Sequence, residues 1–252
     1  MNQIKAIGFD LFNTLITAEP PAIEEAARRL IHSLIDNGLS VEPESFRNAH
    51  REAVIKFVEE SKRDGRETHN RFWISAALET QGYSIPPDDL RITAGVDAYF
   101  SIFLESCHLI PGTRQMLQTL GQAYRLGLLS NFTHAPAAMD IIDRVGITEF
   151  FDVILISGAV GYRKPHPLVF QRLIDQMRVE NGQIIYVGDD PEADISGAQG
   201  AGIQPVWTTC VRDQNIPSAP SVISVSPQKV DGKVPRISNW EAFLSLLEYK
   251  KS

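Results

Sequence analysis

The sequence predicts an α/β fold in which a doubly wound parallel sheet carries an inserted α-helical domain. Three observations predict it. A short apolar run, Ile4 to Phe9, opens the chain and ends in Asp10. About 85 residues of helical spacing follow without a convincing strand. After Pro111-Gly112 apolar runs alternate with helical segments as far as Trp207, the rhythm of a parallel sheet with helices on both faces.

Each element has a local reason. Ile4 to Phe9 is continuous and apolar, as a buried strand is. Ile23, Ala27, Leu30, Ile31, Leu34 and Ile35 recur at helical spacing, with Pro20 and Pro21 as a start signal and Gly38 as a stop. Phe46, Ala49, Ala53, Val54, Phe57 and Val58 mark a second helix, and Phe72 to Leu78 and Leu90 to Leu104 two more. Beyond Gly112 the helix Thr113 to Ala123 leads to the strand Arg125 to Leu129, and a helix over Ala135 to Val145 leads to the strand Phe151 to Ile156. The helix Leu168 to Arg178 leads to the strand Gln183 to Val187, and the helix Ala193 to Ala201 to the strand Ile203 to Trp207. Residues 211 to 238 are rich in Pro, Ser and Val and read as a loop or a small edge hairpin; Trp240 to Tyr249 reads as a closing helix. A parallel crossover needs only about a dozen residues, so the long helical stretch predicts a separate cap, residues 18–108, on a core of residues 1–17 and 109–252.

Composition narrows the function. A net charge of -7 argues against a nucleic-acid surface, while leaving room for a small anion at one local site. No apolar run approaches the ~18 residues of a membrane span, and MNQIKAIGFDLF is too polar for a secretory signal. Two cysteines, Cys107 and Cys210, without metal spacing fit a reduced cytoplasmic setting. The oligomeric state is left open between monomer and homodimer.

In open α/β sheets ligands bind at the carboxyl ends of strands, and the polar residues gather there. Asp10, Ser130-Asn131 and Asp189-Asp190 each follow an apolar strand, Lys164 lies in the loop GYRKPHP, and Asp194 falls five residues after Asp189. Several carboxylates suit Mg2+, a hard ion that prefers oxygen. Lys164 can offset charge on a phosphoryl group, and the Ser130 hydroxyl with nearby backbone N–H groups can bind its oxygens. An Asp carboxylate can itself be the nucleophile. Each residue alone also has a plain reading as a helix cap, turn residue or exposed lysine. It is their joint placement at the ends of one sheet that points to a site.

The chain resembles the haloacid dehalogenase superfamily of hydrolases, with a helical cap inserted after the first motif on a Rossmann-like core. The resemblance rests on FDLFNTL with Asp10 and Thr14, LLSNF with Ser130, the lysine of RKPHP at 164, and VGDDPEADISGAQGAG with Asp189 and Asp194. It covers roughly residues 4 to 208, with IPGTRQML as the re-entry to the core. It implies Asp10 as nucleophile of a phosphatase acting on a small phosphorylated molecule through an aspartyl-phosphate. It implies Mg2+ held by Asp10, the Phe12 backbone carbonyl and Asp189, with Asp190 or Asp194 binding through water or orienting its neighbours. Thr14, Ser130, Asn131 and Lys164 would bind the transferred group.

One slot departs from that pattern. Family phosphatases carry a second Asp two residues after the nucleophile, which protonates the leaving oxygen; here Phe12 stands there. General acid–base help is typically worth ~100- to 10,000-fold, so esters with poor leaving groups should suffer most, and acyl, enol or aryl phosphates least. The 2-haloacid dehalogenases of the superfamily also place an aromatic residue in this slot, but they use no metal and have Ser and Asn in the fourth motif. A haloacid dehalogenase, or a weakly active binding member, is the alternative reading. Among other residues, Lys62, Arg63, Arg66, His69 and Arg71 form a charged cap loop that either reaches the site or is a solvated turn. His108 is either a substitute acid or structural, and His166 caps the next helix. Trp73, Trp207 and Trp240 read as packing residues.

Overall fold

The computed structural model describes residues 3–19, 21–219 and 230–249 of the chain. Among these residues six parallel strands form the main sheet. Their order is β5 (Val153–Ile156), β4 (Arg125–Ser130), β1 (Ala6–Phe9), β6 (Ile184–Gly188), β7 (Gln204–Thr208) and β8 (Arg236–Ile237). The first strand in the chain is thus central. Ala6 lies beside Arg125 on one side and Ile184 on the other, and Phe9 beside Leu128 and Val187.

The three middle strands are almost wholly apolar because both faces are covered, and their side chains alternate between two cores. Ile7, Phe9, Leu126, Leu128, Ile185 and Val187 pack with α5 (Thr113–Gly121), α6 (Ala135–Arg144) and α11 (Trp240–Tyr249). Ala6, Leu129, Ile184 and Tyr186 pack on Val169, Phe170, Leu173 and Met177 of α8 (Pro167–Met177), and the short helices α7 (Ser157–Val160) and α10 (Cys210–Asp213) follow β5 and β7. Burying one large apolar side chain contributes roughly 2 kcal/mol, so both faces fix the strand register. Because the strands are parallel, Asp10, Ser130 and Asp189 emerge at the same carboxyl edge.

Among the described residues the insertion holds four helices: α1 (Ala22–Asp36), α2 (Pro43–Asp64), α3 (Asn70–Thr80) and α4 (Leu90–Ser106). The Glu42 carboxylate accepts from the Glu44 and Ser45 N–H groups at the start of α2, and Gly65 ends that helix at φ 71°. Leu30 and Leu34 of α1 and Ile92 and Val96 of α4 share one core. Pro20, part of the expected start signal, lies outside the described residues.

The structure corrects the expected elements in three places. Two unexpected strands flank the helical stretch: β2 (Ile16–Ala18) and β3 (Cys107–Leu109) pair antiparallel, with Thr17 beside His108, and form a two-stranded stalk where the chain leaves and re-enters the core. Residues 191–196 form a π-helical turn before the short α9 (Gly197–Gly200), where one regular helix was expected. Within 211–238, β8 pairs in parallel with β7 and so is an edge strand rather than half of a hairpin; residues 220–229 lie outside the described residues. Among the described residues, no helix is long and apolar enough to cross a membrane.

Candidate active site

Asp10 is carried directly off the central strand. Its N–H donates to the Val187 carbonyl at 2.9 Å, continuing the β1–β6 ladder one residue past the strand and fixing the carboxylate over the sheet edge. The loop then turns sharply, with Asn13 at φ 58°, a left-handed conformation that Asn tolerates. This turn brings the buried Thr14 back, and its hydroxyl donates to Asp10 Oδ2 at 3.0 Å. A hydroxyl has one proton, so Thr14, expected at the substrate, has its proton committed to holding Asp10.

Lys164 is buried, and all three of its ammonium protons are accounted for. Nζ donates to Asp194 Oδ1 at 2.6 Å, to Asp10 Oδ1 at 2.7 Å and to Tyr186 Oη at 2.9 Å. Tyr186 in turn donates to the Leu129 carbonyl at 2.9 Å, which obliges its oxygen to accept from Lys164. Burial opposes the ammonium charge, but Asp10 and Asp194 outweigh it and raise the Lys164 pKa well above its ordinary value. Asn131 holds the backbone of the same residue. Its Oδ1 accepts from the Lys164 N–H at 2.8 Å and its Nδ2 donates to the Lys164 carbonyl at 2.9 Å. The Asn131 amide, expected on the transferred group, therefore sets the position of the lysine. Ser130 ends β4, buried beside Ile156, at the same edge.

The third loop adds the remaining carboxylates. Asp189 follows β6, and the Trp207 indole N–H donates to its backbone carbonyl at 2.9 Å. In the π-helical turn, Asp194 is drawn in so far that a Cβ on Gly188 would lie 2.3 Å from its carboxyl carbon; only glycine fits there. Asp194 Oδ2 also accepts from the Asp190 N–H at 2.9 Å. Asp190 itself turns away to cap the turn, its Oδ1 accepting from the Glu192 and Ala193 N–H groups at 2.8 Å. Of the carboxylates expected at a metal, the structure thus brings together Asp10, Asp189 and Asp194, one oxygen of each lying within 4.8 Å of the others. Asp190 is not in that group.

Three carboxylates face a single ammonium here, and the electrostatic strain shows in Asp189 and Asp194. Burial first, and then Asp10 and Asp194, raise the Asp189 pKa well above the usual carboxylate range. Asp194 is pushed up to about 7 by burial, with Lys164 pulling the other way. A hard divalent cation accepting oxygen donors would remove this excess of negative charge, and the donor set fits one. No hydrogen bond to the Phe12 carbonyl is seen among the described residues, so that oxygen is open as well.

The Phe12 side chain stacks nearly parallel to Phe132, ring centroids 5.6 Å apart at 6°. Phe100 of α4 packs on Phe132 at 5.0 Å and on His134 at 5.2 Å. His134 Nδ1 lies 2.9 Å from His69 Nε2. His69 Nδ1 accepts from the Arg71 N–H at the start of α3, so its proton sits on Nε2 and is donated to His134. Burial lowers the pKa of both rings, that of His69 to about 4. The charged run expected as a cap loop is divided: Lys62 and Arg63 end α2 and Arg71 begins α3, all exposed like Arg66, while Glu67 and His69 of the loop between them turn inward. His108, the candidate substitute acid, is exposed on β3 against the Ser106 carbonyl. His166 caps α8, accepting from the Leu168 N–H at 3.3 Å.

Sequence reading misses Tyr186, Trp207 as a donor, and Glu67. The one signal for Tyr186 is a hydroxyl inside an otherwise aliphatic strand, IIYVG; Glu67 is hidden among surface charges.

A family model described as haloacid dehalogenase-like hydrolase matches residues 4–202. The chain is 31% identical over 207 residues to a glyceraldehyde 3-phosphate phosphatase of Pyrococcus abyssi, with 81% of each protein covered. It is 30% identical over 203 residues to a ribulose-1,5-bisphosphate 5-phosphatase of Halopiger xanaduensis, covering 80% of this chain and 83% of that protein. Among solved structures, a 2-haloacid dehalogenase from Pseudomonas syringae pv. Tomato DC3000 superposes with a TM-score of 0.69 at 23% identity, over 99% of this chain and all of the other, a likeness of fold.

Proposed function

Because this chain belongs to the haloacid dehalogenase-like hydrolase family, we propose that it is a Mg2+-dependent phosphatase of small phosphorylated metabolites with Asp10 as its nucleophile. The observation that carries the reading is the meeting of Asp10, Asp189 and Asp194 around Lys164 at one sheet edge. The relatives named as sugar-phosphate phosphatases support the substrate class.

Asp10, Asp189, Asp194 and the Phe12 carbonyl would hold the ion. When bound, Mg2+ would screen the repulsion between Asp10 and an anionic phosphoryl group. An Asp10 carboxylate oxygen attacks phosphorus, the new O–P bond replaces the bond to the leaving oxygen, and an aspartyl-phosphate results. Lys164 offsets charge on the phosphoryl group beside Asp10, and Ser130 binds one of its oxygens. Water then attacks phosphorus, releasing phosphate and restoring Asp10. Thr14 and Asn131 act by fixing Asp10 and Lys164. Phe12 carries no proton to give, so the favoured substrates are acyl, enol or aryl phosphates, whose leaving groups depart as anions. In this reading residues 18–108 form a cap that closes over the site and excludes water. The setting is cytoplasmic, in keeping with two free cysteines.

Phe12 also favours a second reading, 2-haloacid dehalogenation, in which halide leaves without a proton. One experiment separates the two. The protein should hydrolyse aryl and acyl phosphates with Mg2+ and stop with chelator, and Asp10→Asn should abolish the activity. Halide release from 2-halo acids that ignores chelator would instead establish the dehalogenase. Wild-type turnover by Asp10→Asn would refute the nucleophile under either reading.

A further inference from the structure

We infer that Glu67, on the loop between α2 and α3, is a positioning residue that ties the helical insertion to the two core loops bearing Lys164 and Phe132. Its kinetic consequence rests on the phosphatase reading above; its structural basis does not.

The loop docks through its backbone first. The Glu67 N–H donates to the Gly161 carbonyl at 3.1 Å, and the Arg163 N–H donates to the Gly65 carbonyl at 2.9 Å. Arg66 and Tyr162 thus form an antiparallel bridge, and the Arg66 guanidinium lies over the Tyr162 ring at 5.9 Å. The approach is close: a Cβ on Gly65 would lie 2.5 Å from the His166 ring. Residues 161–166 are the loop that presents Lys164, so the insertion is paired to its backbone one residue before the lysine.

The Glu67 side chain makes the second connection. It is only 1% exposed, although it sits in a run of surface charges. Oε2 accepts from the Ser157 hydroxyl at 2.5 Å, and Oε1 lies 3.5 Å from the Arg163 guanidinium. A hydroxyl has one proton and two lone pairs. With the Ser157 proton drawn to the carboxylate, a lone pair of Ser157 faces the Phe132 N–H, which donates to it at 2.8 Å. The alternative acceptor, the Phe132 carbonyl, is 3.3 Å away and already receives the Gly158 N–H at 3.0 Å. Glu67 therefore sets the hydroxyl rotor that holds Phe132, and Phe132 is the ring on which Phe12 stacks. Phe132 directly follows Asn131, which clamps the Lys164 backbone. One carboxylate of the insertion thus reaches both loops on which the proposed chemistry depends.

Glu67→Ala, Glu67→Gln and the wild type should be compared by turnover of an aryl phosphate with Mg2+ and by amide hydrogen exchange. Misplacing a reacting group by about 1 Å can cost on the order of 100-fold, so kcat should fall by about ten-fold or more in Glu67→Ala. Exchange should quicken in peptides covering 130–134 and 161–166, with no change in the β6 peptide 184–188. Glu67→Gln keeps an oxygen for the Ser157 proton and should recover most of the rate, a rescue that a purely packing role would not give. Unchanged exchange in both loop peptides overturns the inference, as does quickening spread equally to β6. If the wild type itself turns over no phosphate, the activity reading has failed and exchange alone decides the role of Glu67. If Glu67→Ala does not fold, Ser157→Ala, which removes the hydroxyl between the Glu67 carboxylate and the Phe132 N–H, takes its place and is judged by the same criterion in peptide 130–134.

Discussion

Phe12 sits where a proton donor would be of most use, and its environment explains why it is tolerated. The ring stacks on Phe132, which in turn packs on Phe100, so an aromatic column runs from the nucleophile loop to the helical insertion. Such a pair is worth about 1 kcal/mol beyond the area it buries. Phe12→Asp would lose that and add a carboxylate close to three others, but it would supply a general acid. Because such an acid typically contributes at least ~100-fold, the ratio of kcat/KM for an alkyl phosphate to that for an aryl phosphate should rise by about ten-fold or more with Mg2+ present. The ratio is the quantity to measure, since lost stability moves both substrates together. An unchanged ratio would mean that protonation of the leaving group does not limit the wild-type protein.

At the scale of elements, the site is built from loops whose shapes are fixed by groups outside it. Trp207 on β7 donates its indole N–H to the Asp189 carbonyl, and Arg212 and Arg236 lie over the ring at 5.3 and 5.9 Å. Trp207→Phe keeps an aromatic surface for both cations and removes only the donor. Supporting groups of this kind typically tune metal affinity by 10- to 100-fold. Titration with Mg2+ should show affinity weakened by about ten-fold with the fold intact, and equal affinity would show that Asp189 is held by other means. These supports were the part hardest to read from sequence. Asp10, Ser130, Lys164, Asp189 and Asp194 were legible because each follows an apolar strand or lies just past one, and strands announce themselves by composition. Asn131 was legible as a site residue but not in its actual contact, because a clamp between residues 131 and 164 exists only once two loops meet. The stalk strands β2 and β3 have three residues each, too few to show a period. The π-helical turn that draws in Asp194 is set by packing against Gly188, which local propensity does not encode.

At the scale of the whole molecule, the carboxylate cluster should make stability depend on divalent cation and on pH together. Asp194 titrates at about 7 in the folded chain against an ordinary 3.8, and Asp189 is also raised. A carboxyl group whose pKa is raised on folding contributes stability that is fully present below its unfolded value and is lost as pH rises through the folded value. In chelator, therefore, this cluster should cost stability progressively from about pH 4 to above pH 7. Mg2+ binds the ionised carboxylates, so its stabilisation should grow over the same range. At a concentration of 100 times its dissociation constant, a ligand specific for the folded state contributes about 2.7 kcal/mol, and at this chain length that corresponds to a rise in Tm of roughly 5 to 10 °C. Asp189→Asn removes one of the three mutually repelling charges and one ligand. At pH 8 it should melt higher than the wild type in chelator and gain less from Mg2+, so that the two proteins converge or cross when Mg2+ is added. Differential scanning calorimetry with and without chelator reads both effects. An Mg2+ increment in Asp189→Asn equal to that of the wild type would place the ion elsewhere and remove the physical basis for the proposed reaction.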